Sequence, residues 1–157
     1  MFCRRNWIVV IVVILGLAMF VPVAQAQRQE YESVICYTWT ANVVHFSPEM
    51  TVLSYDGKGI SQSDNATLHF AGILKVVDGK WTAHNFSKNM IPDGDFSIWE
   101  MNGDSESGMT SKAIYGTGKL KGIKGEGKGK VITGGKPIIP GTVQACEKWV
   151  GWFELPK

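Results

Sequence analysis

From Gln27 onward no stretch of the chain repeats its apolar residues at helical spacing, and this constrains the fold more than any other feature. What the chain has instead is a series of runs rich in Val, Ile, Thr, Tyr, Phe and Trp, separated by turn residues. These predict strands near 32–46, 51–60, 65–77, 80–88, 95–102, 109–116, 125–133 and 142–155. Asp78-Gly79, set between Leu74-Lys75-Val76-Val77 and Lys80-Trp81-Thr82, is the clearest hairpin, because a two-residue type I′ turn needs positive φ twice. Asp56-Gly57, Asp93-Gly94 and Asn102-Gly103 read as further turns or bulges.

Alternation assigns the faces. Ile35, Tyr37, Trp39, Ala41 and Val43 fall on one side of the first strand, and Cys36, Thr38, Thr40 and Asn42 on the other. In the last strand Val143, Ala145, Trp149 and Phe153 share a face, opposite Gln144, Cys146 and Lys148. Both cysteines therefore lie on the more polar face of a terminal strand. A bond between them requires the first and last strands to be neighbours, which barrel closure provides while removing exposed sheet edges.

The beginning of the chain bears on whether that bond forms. Arg4 and Arg5 precede an apolar run of 14 residues, Ile8 to Val21, which Pro22 ends before Ala24-Gln25-Ala26. A positive start, a short apolar run and small residues at the −1 and −3 positions make residues 1–26 a signal peptide, with residues 27–157 as the single mature domain. The run is shorter than the roughly 20 residues a membrane span requires, so no stable anchor is expected after cleavage. Cys3 leaves with the signal, and the even pair Cys36 and Cys146 reads as a disulfide formed outside the reducing cytoplasm, in the periplasm or after secretion.

Cleavage also changes the charge. The whole chain has 16 Lys and Arg against 14 Asp and Glu, and losing Arg4 and Arg5 leaves the mature domain neutral. A neutral domain has no global field to gather nucleic acid. Acids cluster at Asp93, Asp95, Glu100, Asp104 and Glu106, while Lys119, Lys121, Lys124, Lys128, Lys130 and Lys136 follow later, so the two segments attract one another.

The lysine segment contains the glycine-rich run from Tyr115 to Gly129. Gly122 to Lys128 has the G-x-x-x-x-G-K part of a phosphate loop, but Gly129 stands where a Ser or Thr would hold magnesium, and no strand–loop–helix context surrounds it. Its lysines are not interleaved with the aromatic residues that base stacking needs. A bulged, twisted hairpin is the structural expectation. Tyr115-Gly116-Thr117-Gly118-Lys119-Leu120-Lys121-Gly122-Ile123-Lys124-Gly125-Glu126-Gly127 resembles the Gly-rich signature of the allene oxide cyclase-like barrels, a group similar in architecture to plant dirigent proteins that includes small exported bacterial proteins. Trp152-Phe153-Glu154-Leu155 is similar to the end of their final strand. The resemblance implies an all-β, eight-stranded antiparallel β-barrel, allene oxide cyclase-like or lipocalin-like, with a central cavity. It carries over no catalytic residues, because none of the group's catalytic positions matches a residue of this chain.

A barrel of eight strands holds either side chains alone or one small ligand. A site should then consist of polar groups on the apolar inward face. Glu147 is the first candidate, set among Val143, Ala145, Trp149 and Phe153; His45 continues the inward face of the first strand, and Trp39 and Trp149 supply aromatic walls. His69 alternates away from Leu68 and Phe70 and is expected outside, while the faces of His84 and Glu100 stay open. Three scattered histidines give no metal spacing, no nucleophile elbow is present, and no cofactor is implied. The expected function is non-catalytic binding of a small, mostly apolar ligand by an exported barrel. An isomerase or cyclase acting inside the barrel and a structural or surface-interaction module are the alternatives, and the oligomeric state is left open.

Overall fold

The structure, a computed structural model, describes residues 27–156, so the expected signal peptide lies outside the described residues. Eight strands follow one another: β1 (Arg28–His45), β2 (Met50–Ser61), β3 (Thr67–Val77), β4 (Lys80–Met90), β5 (Phe96–Asp104), β6 (Gly108–Gly116), β7 (Lys124–Gly135) and β8 (Val143–Glu154). Each pairs antiparallel with the next, and β8 returns to pair with β1, closing the barrel. The β3–β4 connection is the expected two-residue hairpin, with positive φ at both Asp78 and Gly79. Gly94, too, lies in a turn with positive φ.

Asp56-Gly57 and Asn102-Gly103 are not turns. Both lie inside strands with unbroken pairing, and their glycines leave room for neighbours: a Cβ on Gly57 would stand 2.3 Å from the Phe70 ring, and one on Gly103 would stand 2.3 Å from the Met109 sulfur. The bulges occur elsewhere, between Ile98 and Trp99 and between Val131 and Thr133.

The glycine-rich run follows the same logic. After a single 3₁₀ turn at Gly118–Leu120, Gly125, Gly127 and Gly129 alternate inward along β7 and are buried. A Cβ there would collide with Trp99, with the Tyr31 hydroxyl and with the Trp149 ring respectively, at 2.8, 2.3 and 2.5 Å. Glycine thus thins one wall so that large rings from β1, β5 and β8 fit inside a narrow barrel. The lysines between them point to solvent. One ion pair joins the acidic and basic segments, Lys119 Nζ to Asp93 Oδ2 at 2.5 Å.

The two ends of the barrel differ. Where β1 begins and β8 finishes, Trp99, Ala113 and Ile123 pack with Tyr31, Phe153 and Leu155. Beside them Ser33, Ser61 and Ser63 join their hydroxyls at 2.8–3.2 Å, which satisfies polar atoms withdrawn from water. The other half of the barrel stays open. There β1 outruns β8: pairing with β8 stops at Trp39↔Val143, whereas pairing with β2 runs on to His45↔Thr51. Residues 40–45 therefore stand beyond the wall, and Val43 is 49% exposed although its alternation continues the inward face.

Candidate functional site

In the open half lies a cavity of about 320 Å³, bounded by Tyr37 and Trp39 of β1, Tyr55 of β2, Phe70 of β3, Trp81 of β4 and Glu147 and Trp149 of β8, among others. Small inward residues, Ala83, Ser87, Gly108 and Gly129, leave the space that these rings surround. Tyr37 meets Phe70 edge-on at 5.3 Å between centroids, Tyr55 meets Phe70 at 6.2 Å, and Trp39 tilts against Tyr55 at 5.4 Å. Such offset and edge contacts are worth about 0.5–1.5 kcal/mol each beyond burial, and they fix the wall before any ligand arrives.

Two polar pairs interrupt this apolar wall. Glu147, half-buried, accepts the Tyr37 hydroxyl at 2.8 Å on Oε1 and the Trp149 indole N–H at 2.9 Å on Oε2. Trp149 is two residues on along β8, so strand periodicity alone puts its ring on the carboxylate's face, and its 3% exposure fixes that ring in place. Hydrogen bonds to a charged group contribute about 1.5–3 kcal/mol each, which offsets removing the carboxylate partly from water. Burial, then the Glu147 charge, pushes the Tyr37 phenol well above the ordinary tyrosine value, so Tyr37 stays protonated and donates.

The second pair is Asn85 and Tyr55. The Asn85 amide donates to the Tyr55 hydroxyl at 2.7 Å, while its own carbonyl oxygen is buried with no hydrogen-bond partner. Asn85 is only 4% exposed. An orphaned buried acceptor costs about 1–3 kcal/mol, and this one belongs to a residue of the cavity wall. Burial also raises the Tyr55 phenol, with the Glu147 charge acting in the same direction.

Of the residues singled out in the sequence, Glu147, Trp39 and Trp149 share the cavity wall. His45 does not. It sits on the protruding end of β1, exposed, with Nδ1 2.9 Å from the Thr51 hydroxyl. Alternation gave it the inward side, but the barrel wall has ended before that point. His69 and His84 face outward, 2.7 Å from Asp56 and 3.0 Å from Glu100. Sequence reasoning missed Tyr37 and Tyr55 as partners, and Asn85 altogether. Trp81, Ala83, Asn85 and Ser87 do alternate along β4, but Phe86 and His84 on the opposite side meet edge-on at 5.0 Å between centroids and blur the pattern. Among the described residues no three His, Cys, Asp or Glu side chains gather as a metal site.

No family model matches this chain, and no curated protein does. Solved structures do share its fold. One is the pterocarpan synthase dirigent protein GePTS1, with a TM-score of 0.50 and 15% identity over 85% of this chain and 95% of that one. Another is the pterocarpan synthase dirigent protein PsPTS1, with the same TM-score and identity over 85% of this chain and 99% of that one. At that identity the likeness is one of fold: the chain is an eight-stranded antiparallel barrel like these two structures.

Proposed function

We propose that residues 27–157 are an exported binding barrel, released from the signal peptide 1–26, whose central cavity takes up one small, mostly apolar molecule. The observation that carries this reading is the cavity itself: about 320 Å³ of space inside a barrel whose other end is tightly packed. A protein with no use for a ligand gains stability by filling such a space, because interiors otherwise pack as densely as organic crystals. Trp39 and Trp149 form the apolar walls of the site and Glu147 its polar anchor, with Tyr37 and Asn85 added to them; His45 takes no part. The Gly-rich run supports kinship with the exported allene oxide cyclase-like barrels, and the bond between Cys36 and Cys146 fits an oxidising compartment, periplasmic or extracellular.

A second reading is acid–base chemistry in the same chamber, as the word synthase in the neighbours' names suggests. The hydrogen bond from Tyr37 to Glu147 favours it, since a carboxylate and a protonated phenol facing one cavity form a candidate base and acid. Mostly apolar walls place binding first.

Tryptophan fluorescence tests the binding reading. Titration with N-phenyl-1-naphthylamine, neutral at pH 7, should quench the cavity tryptophans with one-to-one stoichiometry. Ala83→Phe fills the chamber from β4 and should remove the response while leaving the fold intact. A wild-type protein that ignores the probe, or a filled variant that binds it equally well, overturns the reading.

A further inference from the structure

Glu147 is an anion with no cation. Its two hydrogen-bond donors, the Tyr37 hydroxyl and the Trp149 indole, orient the carboxylate and are themselves uncharged. Among the described residues none of the salt bridges includes Glu147, and the one cationic side chain on the cavity wall, Lys130, is solvent-exposed on β7. A carboxylate half-withdrawn from water beside aromatic rings leaves negative potential inside the chamber. A ring that turns its face to the chamber would add to it, because that face carries the negative part of the aromatic quadrupole. Asn85, whose carbonyl oxygen is buried and unpaired, is a residue of the same wall.

These features agree in sign: a charged acceptor and an unpaired neutral acceptor, set among aromatic rings. An anionic ligand would meet repulsion from Glu147, and the one cationic residue among the described residues of the wall, Lys130, is turned to solvent. A neutral hydrocarbon would fill the volume but leave the carboxylate without a counter-charge and the Asn85 oxygen without a donor. A protonated amine on an apolar body answers all of these, since its N–H groups donate to oxygen and its charge lies against the rings.

We infer that the ligand of this cavity is an organic ammonium compound, a protonated amine carried on an apolar or aromatic body, with Glu147 as its counter-ion and Asn85 as a second acceptor. The inference rests on the binding reading above and adds the charge of the ligand to it.

Three probes of one shape separate the two. Isothermal titration at pH 7 and low salt would compare 1-naphthylmethylamine, protonated there, with neutral 1-ethylnaphthalene and anionic 1-naphthoate. The amine should bind about tenfold tighter than the neutral isostere, and the anion weakest of the three. Glu147→Gln should bring the amine down to the level of the neutral probe without weakening the latter. Should that variant fail to fold, the wild-type comparison decides alone. Equal or tighter binding of 1-ethylnaphthalene overturns the ammonium assignment while the binding barrel stands. Failure of all three probes removes the binding reading itself.

Discussion

Cys36 and Cys146 are direct cross-strand partners on the seam between β1 and β8, and their sulfurs are bonded on the outer side of the barrel. The bond thus fastens the one strand pairing that closes the sheet, between residues separated by 110 positions in sequence. Removing it with Cys36→Ser plus Cys146→Ser should cost about 2–4 kcal/mol, by freeing a long loop in the unfolded chain. Urea unfolding with and without reductant checks this. Reductant should lower the midpoint of the wild type to that of the double variant and leave the variant unchanged.

Glycines of β7 divide by what lies over them. Gly129→Ala should destabilise the barrel by about 1–3 kcal/mol, because its Cβ would enter the Trp149 ring, buried and held by Glu147. Gly134→Ala, five residues further along β7 and with nothing within 4 Å of its Cβ, should stay within about 0.5 kcal/mol of wild type. Thermal unfolding of the two variants side by side measures the contrast.

Alkaline pH should unfold the protein through its buried phenols. Tyr31, Tyr37 and Tyr55 are all held above the ordinary value of 10.0, in each case chiefly by burial. A raised value means the native state keeps a proton that the unfolded chain gives up. This contribution is therefore complete below about pH 10 and is lost as pH rises from there toward the native values. Urea stability followed upward from about pH 8 should begin to fall steeply above about pH 10, and Tyr37→Phe should flatten the fall. Phenolate absorption from every tyrosine near pH 10 in a protein still folded would contradict it.

His45 offers a control on the boundary of the site. Exposed beyond the end of the barrel wall and hydrogen-bonded through its ring to Thr51, His45 lines no part of the cavity, so His45→Ala should change stability by less than about 0.5 kcal/mol and leave probe affinity unaltered. Fluorescence titration of the variant checks both the boundary and the reason for it.

Much of the architecture was written locally in the chain. Period-two alternation and turn chemistry such as Asp78-Gly79 act over a few residues, so the strands, the inward faces of β1 and β8 and the outward cysteines could all be read. Glu147 was visible because one charge among Val143, Ala145, Trp149 and Phe153 breaks an apolar face. What stayed hidden depends on where strands end relative to their neighbours. His45 passes out of the barrel because β8 starts at Val143, and no residue near His45 records that. The partnership of Tyr37 with Glu147 spans 110 residues and follows from closure and register. Gly57 and Gly103 look like turn residues until the ring and the thioether that occupy their missing side chains are seen.

A crystal structure of the protein with N-phenyl-1-naphthylamine tests the central claim most directly. The account predicts the probe inside the barrel, between Trp39, Tyr55 and Trp81, with the Tyr37–Glu147 hydrogen bond intact. A chamber closed by collapsed side chains, with the probe seated only on the outer surface against the exposed Ile138 and Ile139, would contradict it.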